Sequence, residues 1–253
     1  MLSIASNPVM SAVMPAAIYA RICVSKRVRH GLAALLLLPA SGAPAEEAPA
    51  PEVPACVRSA VEAVQKHYES VRDISARFEQ ESFSVAFGRA GSSSQSRGSV
   101  VFAKPGRMRW HYEEPEESLV VSDGRWLWIY DPAHKEAQKL EVGEAWLSGA
   151  AIQFLLGEGE ILRDFEVRAE ACAAEQARLV LVPRSPSSYE KLHLTTDPRV
   201  GEVRETEVHD LLGNVTRVVL RDARVNTNPP PETFRFVAPP GVQVLELNAS
   251  PGR

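Results

Sequence analysis

The stretch from Phe102 to Asp131 constrains this chain more than any other. From Arg107 to Tyr112 basic and apolar residues alternate, with Met108, Trp110 and Tyr112 on one side and Arg107, Arg109 and His111 on the other. That is the period of a strand with one apolar face. Asp123-Gly124 lies between two apolar runs, and both residues tolerate the backbone angles of a tight hairpin turn. The outgoing segment puts Trp126, Trp128 and Tyr130 on one face and Leu127 and Ile129 on the other, so neither face is made for water. Three of the chain's four tryptophans fall within this stretch, which marks it as the centre of whatever is buried.

The same period continues on both sides. Ile74, Ala76 and Phe78 open a run of strands; Gly98–Ala103 leads through a Pro105-Gly106 turn into the alternating segment, and Lys135–Glu141 returns from it. Further strands are expected at Phe165–Ala169, Ala177–Pro183, Glu190–Thr196, Val203–His209 and Val215–Val225, with the Ser/Gly-rich Gly88–Gly98 read as a loop. About ten strands joined by hairpin-sized turns call for an antiparallel sheet that is strongly curved or nearly closed. Two segments keep a helical period instead. Val57, Ala60, Val61, Val64, Tyr68 and Val71 form one apolar stripe, and Leu147, Ala150, Ala151, Phe154 and Leu155 form another, ended by Gly157.

The first 45 residues read as a signal peptide. Lys26, Arg27 and Arg29 precede the short apolar run Gly31–Leu38, and Ala43-Pro44-Ala45 offers a cleavage site after Ala45. Residues 1–24 fit an over-extended start. Residues 46–55 form a flexible Pro/Ala/Glu spacer, residues 56–245 one domain, and 246–253 a tail. Cys56 sits too far past the apolar run for a lipoprotein box. Export removes Cys23 and leaves Cys56 and Cys172 where oxidation is permitted, so two readings stand: a disulfide, or two unrelated small core residues.

The search for chemistry returns absences. A formal net charge of −4 gives no support for nucleic-acid binding. None of the six histidines (His30, His67, His111, His134, His193, His209) pairs with another His or Cys at metal-ligand spacing, and no nucleophile elbow or phosphate loop is present. A surface role is the default for His193 and His209. Glu113, Glu114, Glu116 and Glu117 around Pro115 read as a solvated turn. No catalytic residue, metal or cofactor is expected.

Lys104–Tyr112, Pro115 with Ser118–Gly124, and Leu127–Pro132 together resemble the signature of the LolA family of periplasmic lipoprotein carriers. Phe78-Glu79-Gln80 resembles the motif after the family's first helix, and Phe234–Val242 its closing segment. The resemblance implies a mainly β (α+β) fold: a curved, incomplete antiparallel β-barrel with helices covering an apolar concave face that holds acyl chains. It implies a monomer whose partners are acylated lipoproteins, an inner-membrane LolCDE-type ABC transporter, and an outer-membrane acceptor, LolB or another. The expected lipid-binding residues are Phe102, Trp110, Leu119, Val121, Trp128, Tyr130, Leu147, Phe154 and Leu155. Lys104 matches a basic position tied to lid control; where the family often has Arg, Lys offers a mobile point charge. Met108 matches an apolar position tied to docking on the releasing complex. A LolB-like receptor, a lipid-sensing part of an envelope stress regulator and a secreted hydrolase are the alternatives; co-purifying lipid or lipoprotein favours the carrier, and turnover of an ester or glycan the hydrolase.

Overall fold

The computed structural model describes residues 53–85, 93–141, 159–187 and 189–247. Helix α1 spans Ala55–Ser70, and its buried residues Val57, Ala60, Val61, Val64 and Tyr68 are the stripe read from the sequence. The strands are β1 (Asp73–Phe83), β2 (Ser93–Ala103), β3 (Arg107–Glu114), β4 (Ser118–Asp123), β5 (Trp126–Asp131) and β6 (Glu136–Glu141). A one-turn helix α2 (Ile161–Asp164) precedes β7 (Phe165–Cys172), β8 (Ala177–Pro183), β9 (Tyr189–Thr196), β10 (Val203–Asp210) and β11 (Val215–Val225). A 3-10 turn at Pro231–Phe234 and β12 (Gln243–Leu247) close the described chain.

All twelve strands form one sheet in the order β12-β6-β5-β4-β3-β2-β1-β11-β10-β9-β8-β7. Among the described residues every pairing is antiparallel except β12 with β6, and the two ends of the sheet do not pair, so the barrel is left open. β1 joins the halves, with β2 on one side and β11 on the other. Residues from β1–β5 and from β7–β9 share one buried apolar cluster with α1, which requires the sheet to curl around a common concave side.

Two strands depart from the sequence reading. β2 begins at Ser93, inside the expected Ser/Gly loop, because its backbone pairs with β1 along the whole length from Phe83↔Ser93 to Asp73↔Ala103. Ladder hydrogen bonds need no particular side chain, so polar composition did not prevent the strand. β12 was not anticipated; it is five residues long and mostly exposed, so it carries no alternation to read. The Asp123 turn follows the expected chemistry, with the Asp123 carboxylate accepting from Arg125 N–H and Trp126 N–H at 2.8 and 2.7 Å.

Helix α1 is fastened along its length. Cys56 in its first turn is disulfide-bonded to Cys172 at the end of β7, with Cα atoms 6.5 Å apart. Gln65 accepts from Ile161 N–H at 3.3 Å and donates to Gly159 O at 3.2 Å. Asn226 at the end of β11 donates to Ser70 O and accepts from Arg72 N–H. The principal sheet contacts of α1 are with β7 and β8.

The β9–β10 turn presses on the middle of the helix, and Asp197 shapes it. Its backbone carbonyl accepts from Gly201 N–H at 2.8 Å, and its carboxylate accepts from the backbone and side chain of Arg199 and from Arg204. The Arg199 guanidinium, then the Arg199 N–H and Arg204, hold this carboxyl well below its ordinary value of 3.8. A depressed folded-state pKa adds stability that is complete above the unfolded value and is lost as pH falls through the folded one. Acid titration of folding should therefore lose a step below about pH 4 in Asp197→Asn relative to wild type. Superimposable acid limbs for the two proteins would show that the pairing contributes nothing.

Candidate functional site

Register partners in a sheet share a face, so the pairings fix which side chains meet. One row across the sheet is Ala76, Val100, Trp110, Val120 and Ile129; the next is Ile74, Phe102, Met108, Ser122, Leu127 and Leu140. Both rows face the concave side, and their apolar members belong to the α1 cluster. Phe78 and Tyr112, opposite one another across Gly98, extend the surface. Phe78 meets Trp110 and Tyr112 edge-on at 4.7 and 5.0 Å, and Phe102 meets Trp110 at 5.7 Å. Tyr112 O–H donates to Gln80 at 3.2 Å, which satisfies the only polar atom of that buried ring. Trp110 alone among these four aromatics is half-buried.

The expected lipid-binding residues do not share this face. Phe102 and Trp110 lie on it, but Val121 is the register partner of Arg109 on one side and of Trp128 on the other, and Leu119 likewise lies between His111 and Tyr130, all on the convex side. There the C-terminal segment covers them. Phe236 packs on Trp128 and Tyr130 at 5.2 Å each, and Phe234 is buried beneath the Arg107 guanidinium at 5.1 Å. Arg109 donates to Thr233 O, and Lys139 sits 4.1 Å over the Trp126 ring. The single set expected from the sequence is thus two sets on opposite faces, because β5 is apolar on both and only its register shows which points inward. Leu147, Phe154 and Leu155 lie outside the described residues.

Met108, expected at a docking surface, is 2% exposed and belongs to the core, so it offers a partner nothing in this conformation. Lys104 is half-buried and its Nζ donates to Tyr68 O in the last turn of α1 at 2.7 Å. A cation there also complements the negative end of the helix dipole. Its backbone N–H donates to Arg72 O, and its own carbonyl accepts from Arg107. Lys104 therefore couples the β2–β3 turn to the end of α1. The Tyr68 hydroxyl, pushed up to about 12 chiefly by burial, accepts from Val203 N–H and fixes the same turn of helix to β10.

A cavity of about 510 Å³ opens elsewhere, at β1, β2 and β11, and is lined by Glu79, Glu81, Arg97, Glu114 and Arg217 among others. Its charged lining suits no acyl chain. His193 and His209, expected at the surface, come together across β9 and β10, and His193 is buried. Fifteen intervening residues hide that pair in the sequence; the β9–β10 register reveals it.

The sequence model described as outer membrane lipoprotein carrier protein LolA matches residues 69–237. The chain belongs to the LolA family. An outer-membrane lipoprotein carrier protein of Legionella pneumophila (strain Corby) is 30% identical over 196 residues, covering 75% of this chain and 91% of its own. One from Chromobacterium violaceum is 30% identical over 191 residues, covering 74% and 87%. Among solved structures, a LolA superfamily protein from Nitrosomonas europaea is 13% identical over 71% of this chain and 97% of its own, with a TM-score of 0.41.

Proposed function

We infer that the mature chain is a periplasmic carrier, not an enzyme, exported by the signal peptide at residues 1–45. It takes lipoproteins from an inner-membrane LolCDE-type transporter and delivers them to an outer-membrane acceptor, LolB or another. The observation that carries this reading is the apolar concave face, in which half-buried Trp110 adjoins Phe78, Phe102 and Tyr112 inside an open sheet. Each acyl methylene laid on such a face gains about 0.8 kcal/mol, so part of one chain offsets the cost of opening a packed surface. Because α1 is fastened at both ends and lies mainly on β7 and β8, chains enter over β3–β5. The C-terminal segment on Trp128 and Tyr130 stiffens the convex side and takes no lipid.

Release of a lipoprotein from spheroplasts tests this reading. The added mature protein should bring the lipoprotein into the soluble fraction as a stoichiometric complex, and pass it on to outer-membrane vesicles. Lys104→Leu should shift uptake or release several-fold while costing about 1 kcal/mol or less of stability, since it removes one partly exposed charged contact. No lipoprotein in the soluble fraction would refute the carrier reading. Transfer unchanged in Lys104→Leu would remove only Lys104 from it.

A further inference from the structure

The outer face of β8–β10 holds a polar cluster that the carrier reading does not use. His193 on β9 and Glu207 on β10 are register partners, and His209 follows on the same face. A ring nitrogen of each histidine and a carboxylate oxygen of Glu207 lie within 4.8 Å of one another. The two rings stack at 4.8 Å, and His209 Nε2 is 2.6 Å from Glu207 Oε1. His193 is 7% exposed, and its Nε2 is buried without a hydrogen-bond partner. Native proteins rarely leave such an atom unpaired, because burying it unsatisfied costs free energy.

We propose that His193, Glu207 and His209 form a binding site for a divalent cation of the Zn²⁺ class. Two imidazoles and one carboxylate, with water completing a tetrahedron, suit such an ion better than Mg²⁺ or Ca²⁺, which prefer oxygen throughout. Arg178 is the group that opposes it, with Nη2 3.1 Å from His193 Nδ1 and 3.2 Å from Glu207 Oε2. It has other anchors, Glu170 at 2.8 Å and Glu205 at 3.5 Å, and so stays paired when Glu207 turns to the cation. In this ion-paired network three carboxylates, Glu170, Glu205 and Glu207, face two guanidinium groups, Arg178 and Arg217. Glu170 also lies 3.5 Å from His193 Nδ1, where a carboxylate orients a ligating imidazole.

The test is a calorimetric titration of untagged mature protein with Zn²⁺ alone at neutral pH, with histidine side-chain NMR signals followed in parallel. One equivalent should bind saturably, the His193 and His209 signals should move together, and His209→Ala should weaken binding at least about tenfold. His67→Ala, on α1, should leave it unchanged. Absence of saturable binding, equal affinity in His209→Ala, or movement confined to His67, His111 or His134 would overturn the proposal. Should His209→Ala fail to fold, the wild-type signals decide alone.

Discussion

Gly201→Ala is expected to destabilise the protein by about 3 to 5 kcal/mol, a large share of what holds a domain of this size together. Two causes add. Gly201 has φ +75°, where a Cβ is strained, and that Cβ would lie 2.0 Å from Ala63 O and 2.7 Å from Val64 N in α1. Those are backbone atoms of a helix fastened at both ends, so neither side can give cheaply. Gly241→Ala is the control: φ is +81° there, but nothing lies within 4 Å, so only the strain of about 1 to 2 kcal/mol remains. Thermal unfolding should fall by roughly 10 °C for Gly201→Ala and by much less for Gly241→Ala. Equal losses in the two variants would mean that the β9–β10 turn does not seat α1.

The second large effect is expected from the Cys56–Cys172 bond. It closes a separation of 116 residues, and the chain-entropy model gives about 4 to 5 kcal/mol for a loop of that length. Its place matters as much as its size, because it joins the first turn of α1 to the edge strand β7. Reduction, or Cys56→Ser with Cys172→Ser, should lower denaturant stability by that order and loosen the helix from the edge first. Hydrogen exchange in α1 should then rise ahead of exchange in β1 and β2. Two free thiols in denatured protein taken from the periplasm would contradict the bond itself.

The elements were legible where a period is imposed on both local structure and burial. The α1 stripe and β3 show their pattern because one side faces the core and the other does not. β12 and the first half of β2 show no such period because their place in the sheet is set by backbone pairing, which asks for no apolar alternation. Trp128 and Tyr130 have the size expected of a lipid cavity, yet Leu127 and Ile129 face the concave side and the aromatics receive Phe236. Alternation within β5 separates the two faces without saying which is inside; only the chain Trp110↔Val120↔Ile129, a product of three strands, does so. The position of Lys104 before Pro105 marks it in the sequence, but its partner Tyr68 O is a main-chain atom that no side-chain pattern reports.

The central claim is that acyl chains lie on the concave face and not on the aromatic convex one. A triacylated lipopeptide with a photoreactive diazirine in one acyl chain, bound to the mature protein and irradiated, reports this directly when the labelled peptides are sequenced by mass spectrometry. Label should appear at Trp110 and its neighbours Val100, Val120 and Ile129, and should be displaced by unlabelled lipopeptide. Label confined to Trp128, Tyr130 and Phe236, or label that unlabelled lipopeptide fails to displace, would contradict the account.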